Sequence, residues 1–354
     1  MAQRQTWLDV LKGIAIFLVV CGHVLLACMN GTDTSVPFRL IANIHMPLFF
    51  FISGWLAYRC ARDGSGRIVP PAMRRRVPRL VLPMVAVSTL FIFYHNHSGL
   101  YPVRDVSFEW LWANAAKQGY WFTLVLLAEF CFYRLLTPVL NMARTLPGRV
   151  AVCMGAYGVL IVLNKLMMPY PVWNWVAFNS CTCYFVPFMF GVLARSEQDT
   201  FLALTSRSGY VTAAFLILAV PMYYMSFQEE LPANMDWSRW IARPLIHICV
   251  AVIALALFRP VCMRADADTA AGGRHRWLAL WSYLGRNSLG IYLLHYFFLF
   301  PVKHLQALLG FPPESFAPNT LLACCAAAVT MAATCMVIEL IRPSRQLSYI
   351  FTGS

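Results

Sequence analysis

Between Leu8 and His23 the chain reads Leu-Asp-Val-Leu-Lys-Gly-Ile-Ala-Ile-Phe-Leu-Val-Val-Cys-Gly-His, and the reading of this stretch decides the fold. Its apolar run continues to about residue 28, long enough to cross a hydrocarbon core of roughly 30 Å as a helix. Yet it carries Asp9, Lys12 and His23. A charged side chain at the centre of such a helix costs roughly 2.5 to 3.5 kcal/mol, so each of these residues is expected to face a polar cavity or a partner. Working outward, ten stretches pass the same length test: residues 8–28, 38–58, 79–95, 120–140, 149–168, 176–194, 209–227, 240–259, 284–302 and 320–341. The expected fold is all-α, a polytopic transmembrane helical bundle of about ten spans, with residues 1–354 as a single integral-membrane domain and short connections.

Composition agrees. Of 354 residues, 60% are hydrophobic and only 12% charged, about half the charged fraction of a soluble globular chain. Mean hydropathy is +0.61. A water-soluble domain is thereby excluded. The first span is not read as a signal peptide, because Lys12 interrupts its apolar run and no small-residue cleavage site follows. The formal charge of +13 is explained by topology. With a cytoplasmic N-terminus, the inner segments hold Arg4, Arg59, Arg62, Arg67, Arg74, Arg75, Arg76, Arg79, Arg134, Arg144, Arg149, Arg342 and Arg345, whereas the outer loops keep Arg104, Lys117, Lys165, Arg239 and Lys303. The positive-inside rule then places both termini in the cytoplasm. No basic soluble domain is left to bind nucleic acid, so none is expected as a partner. The 12 cysteines lie almost wholly in apolar stretches, and neither a disulfide framework nor a metal site is read from them.

The polar residues inside the spans are the candidate site. Asp9 and Lys12 are i,i+3 neighbours and are expected to pair. Lys12 and His23 are eleven residues apart and return to nearly the same face, about 16 Å along the axis. The alternative places Asp9 and Lys12 at the membrane edge with His23 reaching the outer interface. Gly13 and Gly22 beside them favour close approach by another helix. His45 enters the second span at similar depth; it either shares a cavity with His23 or makes a structural hydrogen bond across helices, and both readings stand. Arg74, Arg75, Arg76 and Arg79, in the loop before the third span, suit bidentate phosphate recognition, or else anionic lipid and topogenesis. No Gly-rich phosphate loop accompanies them. Arg286, Asn287, Ser288 and His295 fall in the ninth span and Glu339 in the last. Glu129, Arg243 and His247 are read as packing or interfacial residues. His95, His97, His275 and His304 are expected in loops.

Several of these pieces, in order, resemble the membrane-bound acyltransferase 3 family, particularly its fucose 4-O-acetylase-like branch. They are Leu8-Asp9-Val10-Leu11-Lys12-Gly13 with Gly22-His23, His45-Met46-Pro47-Leu48-Phe49-Phe50 with Ser53-Gly54, Arg76-x-x-Arg79, Tyr120-Trp121-Phe122, Leu284-Gly285-Arg286-Asn287-Ser288-Leu289 with His295, and Glu339 near Pro343. The resemblance implies transfer of an acetyl group from cytosolic acetyl-CoA, or another acyl-CoA such as succinyl-CoA, to a sugar hydroxyl of a cell-envelope glycan or its lipid-linked precursor. It implies no bound cofactor, a bacterial inner-membrane location and glycan-assembly proteins as partners. No C-terminal SGNH hydrolase-like extension is expected. The family's essential histidine maps onto His23, its basic residue eleven positions earlier onto Lys12, and its acyl-CoA-handling motif onto Arg76 and Arg79. On that reading Arg74, Arg75, Arg76, Arg79 and Arg286 hold CoA phosphates and the pantetheine arm follows the first helix to His23, which acts as general base or as transient acyl carrier. His45, Asn287, Ser288 or Lys12 would donate to the oxyanion, Asp9 would hold Lys12, and His295 and Glu339 would support the site. The rival class is a carrier or exporter that uses the same buried residues as a relay.

Overall fold

A computed structural model describes residues 5–61, 63, 65–98, 120–170, 173, 176–227, 236–270, 273 and 275–353. Among these residues the chain is built of helices, with a lone antiparallel bridge between Cys60 and Ile68 in place of any sheet. The helices are α1 (Thr6–Ala27), α2 (Val36–Ala57), α3 (Met73–Ser98), α4 (Trp121–Met142), α5 (Leu146–Met167), α6 (Phe178–Ser196), α7 (Gln198–Ser206), α8 (Ser208–Phe227), α9 (Asp236–Ala270), α10 (Arg276–Arg286), α11 (Ser288–Leu294), α12 (Lys303–Leu308), α13 (Phe316–Ile341) and α14 (Arg345–Thr352). Eight of the described helices are long and apolar enough to cross a membrane: α1 to α5, α8, α9 and α13. They coincide in position with eight of the ten expected spans, although α9 runs on to Ala270, past the expected end at residue 259. A ninth, at residues 176–194, corresponds to the 19-residue α6.

The expected span at residues 284–302 is not one helix. It is divided into α10, α11 and a 3₁₀ turn at His295–Phe298, with the break at Asn287. Gly285, Ser288 and Gly290 hold helix weakly, and Pro301 disfavours helical backbone in the residue before it. That residue is Phe300; Leu299 before it is already extended, at φ −66° and ψ 132°. The third span also begins earlier than residue 79. Pro70 and Pro71 keep the chain out of helix, after which Met73-Arg-Arg-Arg starts α3 at once. Arg74, Arg75, Arg76 and Arg79 therefore sit on the first two turns of a helix rather than in a loop. His95 and His97 lie on α3 and His304 on α12, not in loops. Of the loop charges named above, Arg4, Arg62, Arg104 and Lys117 lie outside the described residues.

The chain forms two compact units, Met1–Phe49 with Val85–Val87 and Phe258–Ser354, and Phe50–Met84 with Ser88–Leu257. In the first, α1 is the central helix and packs along α10, α11 and α13. A Cβ on Gly13 would run into the carbonyl of Trp281, and one on Gly285 into the carbonyl of Asp9 and the Gly13 nitrogen, so the two backbones touch through glycine. A polar clamp closes the far end of α1. Gln306 accepts from the Asn30 backbone N–H at 2.9 Å and donates to Asn319 at 3.3 Å, while Asn319 donates to the Pro312 carbonyl at 2.8 Å. The Val302 N–H adds a bond to the Cys28 carbonyl at 2.9 Å. These bonds fix the chain that leaves the 3₁₀ turn.

In the second unit, α6 packs against α4 and α5, and Gly54 and Gly191 make a second glycine contact between the end of α2 and α6. Tyr184 is sandwiched by stacked rings, with Phe50 at 4.6 Å, Trp121 at 5.5 Å and His247 at 5.7 Å between centroids. Asn141 of α4 holds the loop before α3 by accepting from the Ile68 N–H at 2.7 Å and donating to its carbonyl at 3.0 Å.

Candidate functional site

The site of the first unit is assembled on α1 and on the broken segment beside it. Asp9 and Lys12 pair as the i,i+3 spacing requires, with Lys12 Nζ 3.1 Å from Asp9 Oδ1. The carboxylate is nearly covered and the ammonium about a fifth exposed, so the pair lowers the cost of each charge within the span. About three turns further along α1 stands His23. Its Nδ1 lies 2.9 Å from Nε2 of His295, and its Nε2 lies 2.9 Å from the hydroxyl of Tyr296. The two imidazoles are stacked, 4.9 Å between centroids and 20° between planes. His295 is itself anchored, its Nδ1 donating to the Ile291 carbonyl at 3.0 Å, one helical turn earlier. The 3₁₀ turn that begins at His295 presents two consecutive side chains, His295 and Tyr296, to the same imidazole.

Other expected residues bond elsewhere. His45 directs Nδ1 to the carbonyl of Ile41 on its own helix, at 2.5 Å, and its ring lies near enough to His23 for the two to interact electrostatically, as the shared-cavity reading expects. Asn287 donates its amide to the Tyr283 carbonyl at 3.0 Å and accepts from Arg342 at 3.1 Å. Arg342 pairs in turn with Glu339 at 2.7 Å, and Glu339 accepts from the Tyr283 hydroxyl. Asn287 and Glu339 thus belong to a half-exposed cluster that braces the break between α10 and α11. Ser288 opens α11 and Arg286 is exposed at the end of α10. Tyr296 was absent from the sequence-based candidates. Only its adjacency to His295 pointed to it.

In the second unit, Arg74, Arg75 and Arg79 are exposed, while the Arg76 guanidinium lies 4.1 Å above the Phe130 ring. Arg76 is therefore held in place, and the other three are free to meet an anion. Glu129 on α4 is fully buried, and neither of its carboxylate oxygens has a hydrogen-bond partner among the described residues.

Imidazole can take a proton, and it can form a covalent acyl bond; a ring hydrogen-bonded at both nitrogens is set in one orientation for either task. Comparison with known proteins narrows the chemistry. A family model described as an acyltransferase domain, that of the acyltransferase 3 family, matches residues 5–339. The nodulation protein NolL of Sinorhizobium fredii is 34% identical over 146 residues, which is 37% of this chain and 36% of that protein. The NolL of Mesorhizobium japonicum is 33% identical over 143 residues, 38% of this chain and 36% of that protein. The alignments thus span about a third of the length of these curated relatives. No solved structure matches the chain.

Proposed function

Because the chain belongs to the acyltransferase 3 family, we propose that it is an O-acyltransferase that moves an acetyl group from cytosolic acetyl-CoA to a sugar hydroxyl of a cell-envelope glycan or its lipid-linked precursor. It is an integral multi-pass membrane protein; under the proposal it lies in the bacterial inner membrane with both termini cytoplasmic. The observation that carries the reading is His23, a histidine of the opening span whose two ring nitrogens both meet polar side chains. A sugar hydroxyl is a poor nucleophile until its proton is removed, and a neutral imidazole within hydrogen-bond reach is the group suited to remove it. His23 is the general base. Lys12, held by Asp9, is the fixed positive charge of the same helix. The exposed guanidinium groups of Arg74, Arg75 and Arg79, with Arg76 braced on Phe130, are suited to the phosphates of CoA.

Purified protein in proteoliposomes tests the activity directly. Release of free CoA from acetyl-CoA is expected to depend on an added lipid-linked or polymeric glycan, with one acetyl group gained by the glycan in mass spectrometry. Solute flux without CoA release would sink the enzyme reading. The arginines carry a separate expectation. Arg76→Ala with Arg79→Ala raises the acetyl-CoA KM about tenfold or more, since charge-assisted bonds to phosphate contribute about 1.5 to 3 kcal/mol, and leaves the acceptor KM unchanged. An unchanged donor KM would show that these residues serve insertion alone.

A further inference from the structure

The bonds around His23 can be assigned donor by donor. The Ile291 carbonyl can only accept, so His295 Nδ1 carries a hydrogen. With both rings neutral, His295 Nε2 then holds a lone pair and must accept, which makes His23 Nδ1 the donor of the 2.9 Å bond between the rings. His23 Nε2 is left with the lone pair, and the Tyr296 hydroxyl at 2.9 Å donates to it. Each direction follows from the one before, and the chain starts at a backbone carbonyl whose role is not negotiable.

We propose that His295 is a positioning residue that holds His23 as its Nδ1–H tautomer, and that the Tyr296 hydroxyl covers the basic Nε2 until an acceptor hydroxyl takes its place. The inference rests on His23 being the base. The acceptor O–H proton passes to Nε2 as its oxygen bonds to the thioester carbonyl carbon. When the tetrahedral intermediate collapses, the C–S bond breaks and the CoA sulfur leaves with the proton from Nε2. The Nδ1–H stays on His23 throughout and donates to His295, which steadies the imidazolium between the two steps. Without His295 the ring is free to carry its hydrogen on Nε2, where it cannot act as base. The Tyr296 hydroxyl marks where the acceptor oxygen must sit and denies that position to water, which would otherwise hydrolyse the thioester.

Nitrogen-15 NMR of histidine-labelled protein reads the tautomer without any substitution: His23, assigned by its loss in His23→Ala, is expected as the Nδ1–H form. An Nε2–H signal in the unaltered protein overturns the proposal. His295→Leu lowers kcat by about a hundredfold, within the range general-base catalysis contributes, and shifts the His23 signal toward the Nε2–H form. His295→Gln, whose amide oxygen reaches the position of Nε2, restores both. Equal activity of the Leu and Gln variants removes the positioning role. Tyr296→Phe raises acceptor-independent CoA release severalfold; a rate equal to that of the unaltered protein removes the covering role. If His23→Ala retains acceptor-dependent transfer, the base itself is misassigned. If His23→Ala is inactive while His295→Leu is fully active, the base stands and only the positioning fails.

Discussion

His23→Ala reduces acceptor-dependent CoA release by about a thousandfold, in the middle of the range by which a positioned acid or base accelerates proton transfer. The protein itself is expected to remain in the membrane at near-normal level. The substitution removes two hydrogen bonds, to His295 and from Tyr296, and such bonds contribute about 1 kcal/mol each to stability. The packing of α1 along α10 lies well away, around Gly13. Thiol titration of released CoA, beside fluorescence-detected size-exclusion of the same preparations, separates lost chemistry from lost protein. Transfer at more than a tenth of the normal rate would place the reactive base elsewhere.

Gly285→Val has the other large effect, and it acts on the fold. The new Cβ would meet the Asp9 carbonyl and the Gly13 nitrogen, both backbone atoms, so no side-chain rotation can relieve the clash. The helices must separate along the seam, at roughly 3 kcal/mol or more. Loss of monodisperse protein at moderate temperature is the expected reading. Gly155→Ala and Gly158→Ala on α5 serve as comparison, since a Cβ at either meets nothing within 4 Å. Replacing glycine by alanine inside a helix is there expected to be neutral or to stabilise by about 0.5 to 1 kcal/mol. If Gly285→Val were as stable as these two, the seam would not hold the unit together.

Long apolar runs made most of the architecture legible: α1, α2, α4 and α5 start and stop within a few residues of the hydropathy reading because lipid-length helices leave a strong compositional signal. The pairing of Asp9 with Lys12 followed from helical spacing alone. Hydropathy is blind to backbone geometry, however. Residues 284–302 are mostly apolar despite Arg286, Asn287, Ser288 and His295, and nothing in their average hydrophobicity shows that the chain breaks at Asn287 and tightens at His295. Tyr296 was missed because helical spacing does not bring two consecutive residues to one partner: adjacent side chains point about 100° apart on an α-helix and about 120° apart on a 3₁₀ turn. Gln306 and Asn319 escaped notice too, as each appears isolated until folding brings them together. Glu129 is a different case, because the sequence offered it no partner and none is present among the described residues.

The glycine seam also works as a ruler. Gly13 precedes His23 by ten residues, and Gly285 precedes His295 by ten. Two segments that start level at the seam and run the same way therefore arrive level at the paired rings, about 15 Å along a regular helix. The meeting of the two histidines is thus a matter of counted length as much as of identity. Adding or deleting one residue between Gly285 and His295 would leave every side chain of the pair intact, yet turn one ring aside and silence the site.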